Sequence, residues 1–238
     1  MPAMPTILAT SGGFTRDERN NLAPAGLVRL ALRMSGADRP KLCFLGTAAG
    51  DDVGNVQGIY AAFSGWSVDV SHLQLFTMPN VADVRAHLLG QDVIWVGGGS
   101  VANLLAVWRV HGVDEVMREA WESGVVLSGV SAGSICWHTG GTTDSFGPDL
   151  RGVTDGLALL PYGNGVHYDS EEQRRPLLHS LVGDGTLPTS YATDDGAGLL
   201  YEGTELVGTY AEREGAGAYR VEKGASGVVE TRLDPELV

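Results

Sequence analysis

The chain has 238 residues, 43% of them hydrophobic and 19% charged, and carries a formal net charge of −13. That composition is typical of a soluble globular protein rather than a disordered one, and a chain of this length can build a full core as one domain, read here as residues 1–238, without disulfide staples. The acidic balance argues against a nucleic-acid partner, and no apolar run reaches the roughly 20 residues that a membrane helix needs.

The first predicted element is a strand, Thr6 to Thr10, that runs into Ser11-Gly12-Gly13. Pro24 to Ser35 reads as a helix: Leu27, Leu30, Ala31 and Met34 fall at helical spacing, Pro24 suits the first turn and Gly36 a stop. Lys41 to Gly46 is a second strand, Val56 to Phe63 a helix, Ser67 to Leu75 a third strand and Val81 to Leu89 a helix. Asp92 to Val96 is a buried strand that enters Gly97-Gly98-Gly99, and Ser100 can cap a helix over Val101 to Val110. A helix over Val113 to Glu122 leads to the buried strand Val125 to Val130. This βα rhythm, with strands apolar nearly throughout, predicts an α/β fold with a mainly parallel sheet sandwiched by helices. Thr139 to Gly156 reads as a loop, and Ser170 to Val182 as one more helix. Short strands follow over Tyr191–Thr193, Ala197–Tyr201, Glu205–Tyr210, Ala218–Val221 and Val228–Leu233, small C-terminal β elements that leave pairing into a homo-oligomer open.

Met1 to Thr10 has neither a basic start nor a long apolar stretch, so no secretory signal is expected. There are two cysteines, and Cys43 sits in the apolar run Leu42 to Leu45, where it reads as a small buried hydrophobe. A thiolate metal site is not expected, no metal-ligand spacing is visible, and the default compartment is the cytoplasm.

The strand Val125 to Val130 delivers Ser131 within Gly129-Val130-Ser131-Ala132-Gly133. Strand, sharp turn and helix form a nucleophile elbow, which exposes a serine hydroxyl at the C-terminal edge of the sheet. The alternative is a glycine-rich turn with a capping serine. Gly97-Gly98-Gly99 also follows a buried strand, and its N–H groups can complete an oxyanion hole beside that of Ala132. A serine nucleophile needs a base, and there are six histidines. His72 alternates within a strand, His87 reads as a solvated helix face, His111 ends a helix and His179 lies within one. His138, seven residues past Ser131, would sit about 10 Å along a helix axis, too far for a direct hydrogen bond. His167, in a strand-end loop downstream of the nucleophile, remains. The carboxylate that orients it is open among Asp144, Asp169, Asp194 and Asp195.

Ile94 to Ser100, Gly129 to Ser134 and Pro161 to Asp169 with His167-Tyr168 together resemble the peptidase E family, serine peptidase family S51, across nearly the whole chain. That group includes aspartyl dipeptidases and, more distantly, cyanophycinases. The resemblance implies a class I glutamine amidotransferase-like (flavodoxin-like) fold with serine in place of cysteine. It implies Ser131 as nucleophile, His167 as base, and Gly99 and Ala132 as backbone donors to the oxyanion. For the third member it implies Asp195, with Asp144 as the alternative. It also implies a short peptide as substrate and no cofactor. One departure concerns specificity: where aspartate-selecting members carry an arginine, this chain has Glu171, which would repel an aspartyl side chain. Gly98, Arg174 and Arg175 are the candidates for holding substrate. The rival readings are a cyanophycinase-like peptidase or an esterase and, outside catalysis, a ligand-binding relative of the amidotransferase fold.

Overall fold

A computed structural model describes residues 4–238. In chain order it has β1 (Thr6–Thr10), the hairpin β2 (Phe14–Arg16) and β3 (Leu22–Pro24), α1 (Gly26–Met34), β4 (Lys41–Leu45), α2 (Val53–Ala62), β5 (Asp69–Leu73), α3 (Val84–Leu89), β6 (Val93–Val96), α4 (Val101–His111), α5 (Val113–Glu122), β7 (Val126–Val130) and α6 (Ala132–Ile135). Then come β8 (Gly140–Thr143), β9 (Arg151–Val153), β10 (Gly163–Gly165), α7 (Arg174–Gly183), β11 (Ser190–Thr193), β12 (Ala197–Glu202), β13 (Glu205–Ala211), β14 (Ala218–Gly224), β15 (Gly227–Leu233) and β16 (Glu236–Leu237).

Eight strands form the main sheet in the order β16-β13-β12-β1-β7-β6-β4-β5. β1, β7, β6, β4 and β5 are parallel, and β12 joins β1 antiparallel. Both faces of β1, β7, β6 and β4 are largely buried, which is why those segments read as continuous hydrophobic runs, whereas β5 at the edge is polar and partly exposed. Ile7, Cys43, Ile94 and Leu127 pack with Leu104, Trp108 and Met117 of α4 and α5. Leu8, Phe44, Trp95 and Val126 pack with Val28, Ala31 and Ile59 of α1 and α2 on the other face. Each such aliphatic side chain contributes roughly 1.5–3 kcal/mol when fully buried. Cys43 and Cys136 are both free and buried.

The helices start where local chemistry lets them. Asp52, Asp83 and Ser100 accept the N–H of Asn55, Ala86 and Asn103 at the starts of α2, α3 and α4. Pro24, expected in the first turn of α1, instead pairs with Phe14 in the β2–β3 hairpin. The N-terminus of α1 is capped from a distance, by Glu212 Oε1 accepting the Leu27 N–H at 2.7 Å.

The larger departure is a second sheet, β15-β14-β11-β10-β8-β9. Two of its strands, β8 and β9, lie within the segment Thr139 to Gly156 expected to be a loop, and pair antiparallel. Gly140 and Gly141 carry no side chain because backbone fills that space: a Cβ on either would come within 1.9 Å of Val153 O or 2.2 Å of Asn164 O. A glycine-rich strand of this kind has no hydrophobic alternation to announce it. The C-terminal strands divide between the sheets, β12, β13 and β16 extending the main one and β14 and β15 the second. The helix expected from Ser170 begins four residues later, at Arg174. No helix among the described residues is long and apolar enough to cross a membrane.

Candidate active site

β7 ends at Ser131, which adopts φ 58° and ψ −112°. A non-glycine residue held there stores about 1–3 kcal/mol of strain, which the surroundings must impose. They do so by close approach. A Cβ on Gly133 would lie 2.2 Å from Val96 O, so α6 can leave β7 tightly only because residue 133 has none. The Ser131 N–H donates to Thr10 O at 3.1 Å, tying the elbow to the end of β1. Ser131 is partly exposed, whereas Ala132 to Ile135 behind it are buried.

The glycine run lies beside it. A Cβ on Gly98 would be 3.3 Å from Ser131 Cβ, and Gly99 adopts φ +133° with Ala48 O only 2.4 Å from where a side chain would begin. The N–H groups of Gly99 and Ala132 have no backbone acceptor among the described residues, so donors flank the serine from two strand ends.

The base side is assembled from remote segments. His167 follows β10 and, like Ser131, has positive φ, at 53°. Its N–H donates to Ser11 Oγ at 3.2 Å, and Ser11 Oγ also lies 2.7 Å from Thr193 Oγ1. Because β12 runs antiparallel to β1, its start lies at the same sheet edge as the end of β1: Gly196 N–H donates to Ser11 O at 2.9 Å and Ser11 N–H to Ala197 O at 2.8 Å. Asp195 therefore stands beside His167, with His167 Nδ1 2.6 Å from Asp195 Oδ1. Partial burial alone would raise the Asp195 pKa, but hydrogen bonds from His167 and Ser170 and the positive charge of His167 and Arg213 outweigh it and hold the carboxyl below its usual range. No hydrogen bond joins Ser131 Oγ to the His167 ring among the described residues.

Asp144 is exposed and lines a different hollow, with Glu171, Glu172 and Gln173. Asp194 is nearly buried; its Oδ2 accepts from Gly217 N–H at 2.7 Å and Tyr219 Oη–H at 3.0 Å, so it braces the β11–β14 junction. Asp169 holds Asp195 in place: Oδ1 accepts the Asp195 N–H at 2.8 Å, and Oδ2 pairs with Arg213, whose Nε donates to Asp195 O at 2.8 Å. Sequence reasoning missed Ser11 and Arg213. The only hint for Ser11 was its place at the end of the first strand, and for Arg213 there was none.

Arg174 and Arg175 differ from the expectation of substrate contacts. The Arg174 side chain is only 2% exposed and is committed to Glu171 Oε2, at 2.8 Å, and to Thr142 O. Arg175 pairs with Glu230 and lies over the Tyr168 and Tyr219 rings, 4.4 and 4.6 Å from their centroids. Glu171 is thereby neutralised by Arg174 rather than left as a free negative charge. Among the other histidines, His138 is fully buried and burial pulls its pKa down to about 4. His87, expected on a solvated face, has Nε2 3.5 Å from both Cys43 Sγ and Ser71 Oγ, and burial lowers its pKa. His72 bonds Tyr60 Oη at 3.0 Å, and His179 bonds Glu230 at 2.8 Å. Among the described residues no group of three or more His, Cys, Asp or Glu is placed to hold a metal ion.

The profile of Peptidase family S51 matches residues 7–208. The chain belongs to peptidase family S51. As a member of S51 it is a serine peptidase. It is 42% identical over 218 residues to the Bacillus subtilis (strain 168) protein "Uncharacterized peptidase YgaJ", covering 92% of each chain. The fold is similar to that of a putative peptidase E protein from Listeria monocytogenes EGD-e, with TM-score 0.62 and 17% identity over 98% of this chain and 100% of that one. It is likewise similar to a peptidase from an acI-B1 Actinobacterium, with TM-score 0.67 and 16% identity over 98% of this chain and 96% of that one. At those identities the two structures speak for the S51 fold alone.

Proposed function

We propose that this S51 peptidase hydrolyses short peptides, as a dipeptidase E-like enzyme, through Ser131, His167 and Asp195. The observation that carries the reading is the 2.6 Å contact between His167 Nδ1 and Asp195 Oδ1 at the sheet edge where Ser131 stands. A carboxylate can only accept, so Nδ1 carries the proton and Nε2 is the basic nitrogen. Ser131 Oγ attacks the peptide carbonyl carbon as Nε2 takes its proton. The carbonyl oxygen becomes an oxyanion held by the N–H groups of Gly99 and Ala132, while Gly98 lies along the substrate. Collapse breaks the C–N bond, and the leaving amine takes the proton from Nε2. Water then repeats the sequence on the acyl-serine, releasing the carboxylic acid and restoring the hydroxyl. Asp195, favoured in its ionised form, stabilises the imidazolium in both halves. The Ser131–His167 contact is the kind that closes in the substrate complex, since such bonds are often long in free enzymes.

We read the chain as a single catalytic domain that acts in the cytoplasm without a cofactor. β5, β4, β6 and β7 follow the flavodoxin strand order, with β1 in the next place, which supports the amidotransferase-like reading. Labelling with a fluorophosphonate and mapping the adduct by mass spectrometry tests the nucleophile. Ser131 is expected to carry it, and Ser131→Ala to lose about 10⁴-fold or more in kcat while keeping its fold. Retained peptide hydrolysis in Ser131→Ala would falsify the assignment.

A further inference from the structure

β4 and β6 are neighbours in the sheet, but β4 connects onward to β5 on one side and β6 to β7 on the other. A crevice opens past the C-terminal ends of two such strands. Here it holds a cavity of about 410 Å³, with Gly46 after β4 and Gly97 and Gly98 after β6 in its wall. Val130, next to Ser131, lines it too. Phe14, Phe44, Ile59 and Trp95 give it a largely aromatic body, with Phe14 edge-on to Trp95 at 5.6 Å. The β2–β3 hairpin adds a polar wall of Arg16, Asn20 and Asn21.

Arg16 is the charged member of that wall. Asp17 is beside it in sequence, yet its carboxylate is used up inside the turn: Oδ1 accepts from the Arg19 and Asn21 N–H groups at 2.9 and 2.8 Å, and Oδ2 from Asn21 Nδ2 at 3.1 Å. Arg16 makes one side-chain hydrogen bond, from Nη1 to Asn20 O at 2.9 Å, and no ion pair among the described residues. Most of its fork of donors is therefore open to a ligand. Asn20 adopts φ 63°, the left-handed conformation that asparagine tolerates in turns, so the hairpin presents these groups from a defined turn. The other arginines considered for substrate, Arg174 and Arg175, are committed to Glu171 and Glu230.

We infer that Arg16 binds a carboxylate of the peptide substrate while an apolar side chain of the same peptide fills the aromatic cavity. This rests on the reading of Ser131 as the nucleophile and names the substrate class: short peptides with a hydrophobic residue and a free carboxylate. The carboxylate can come from the peptide C-terminus or from an acidic side chain.

Four probes separate the terms: Leu-Phe, Leu-Phe amide, Asp-Phe amide and Gly-Gly. Wild type is expected to hydrolyse Leu-Phe with kcat/KM about 10- to 100-fold above Leu-Phe amide, the range of a charge-assisted hydrogen bond, and above Gly-Gly as well. Arg16→Met should erase the advantage of Leu-Phe over its amide through KM, and Arg16→Lys should retain part of it. If the side-chain carboxylate is the one held, Asp-Phe amide takes the place of Leu-Phe as the peptide that loses most in Arg16→Met. Unchanged ratios among the four in Arg16→Met would overturn the inference. A fluorophosphonate separates that outcome from failure of the nucleophile: label on Ser131 in both proteins with unchanged ratios removes only the role of Arg16, and no label on Ser131 in either removes the reading beneath it.

Discussion

The two sides of the candidate site are built in different ways. The nucleophile side is local: β7, Ser131 and α6 are consecutive, and the geometry is imposed by backbone contact with β6 and β1. The base side is tertiary: Ser11, His167 with Asp169, Asp195 and Arg213 come from four stretches of chain and meet through side-chain hydrogen bonds. The first side is sensitive to added atoms and the second to lost partners.

After loss of the nucleophile itself, the largest expected effect tests the tertiary side. Asp195→Asn removes the charge that fixes the His167 tautomer and balances the imidazolium, and kcat should fall by about 10³- to 10⁴-fold with KM little changed. Asp144→Asn is the control and should leave kcat near wild type, since Asp144 lies in a separate hollow. A reversed result would hand the third place to Asp144. The local side is tested by one methyl group. Gly133→Ala forces a Cβ to within 2.2 Å of Val96 O, and we expect a loss of about 3 kcal/mol in chemical denaturation, at the upper end for overpacking. An unaltered midpoint would mean that the elbow has room the contact distances deny it.

The contrast also explains what could be read from the sequence. The apolar runs of the central parallel strands, the capping residue Ser100 and the pattern Gly129 to Gly133 carry their meaning in consecutive residues, and the sheet and elbow follow from them. His167 was reachable by elimination, because the other histidines fell on helices or strands. The choice of Asp195 over three other aspartates was not reachable from spacing alone, because it depends on β12 pairing antiparallel with β1. The glycine strands of the second sheet were illegible because their signal is the absence of side chains. Arg174, a candidate for holding substrate, is instead satisfied in the interior by Thr142 O and Glu171, and its burial depends on packing against β8 that its local sequence does not announce.

The two sides should also fail at different pH. His138, just beyond α6, donates from Nδ1 to Ser134 O at 2.9 Å and is fully buried and neutral. Its pKa is about 4 in the fold against an ordinary value of 6.5. Between those values the unfolded chain binds the extra proton, so stability is lost as pH falls from about 6.5 to about 4, by roughly 3 kcal/mol. Asp195 has the opposite sign of group and a lower window: its depressed pKa contributes stability that is lost only as pH falls below its ordinary value of 3.8. Denaturant titrations at pH 7, 5.5 and 4.5 check the first window. His138→Phe should be less stable at pH 7 but lose much of the slope, and an unchanged slope would assign the acid sensitivity elsewhere.

The smallest expected effect lies in the outer part of the tertiary side. Arg213 does not touch the reacting atoms; it positions Asp195 through the Asp195 carbonyl and through Asp169. Arg213→Met should lower kcat by about tenfold, the scale of one misaligned charge-assisted contact, with KM unchanged. It also removes one of the positive charges that depress the Asp195 carboxyl, so that carboxyl should titrate at higher pH than in wild type, which NMR titration of the labelled side chain can read. Arg213→Lys keeps the charge but not the fork, so it should restore the titration more fully than the rate. If charge and rate recover together, Arg213 acts as a point charge. If only the titration recovers, the geometry of its two bonds is what holds Asp195 against His167.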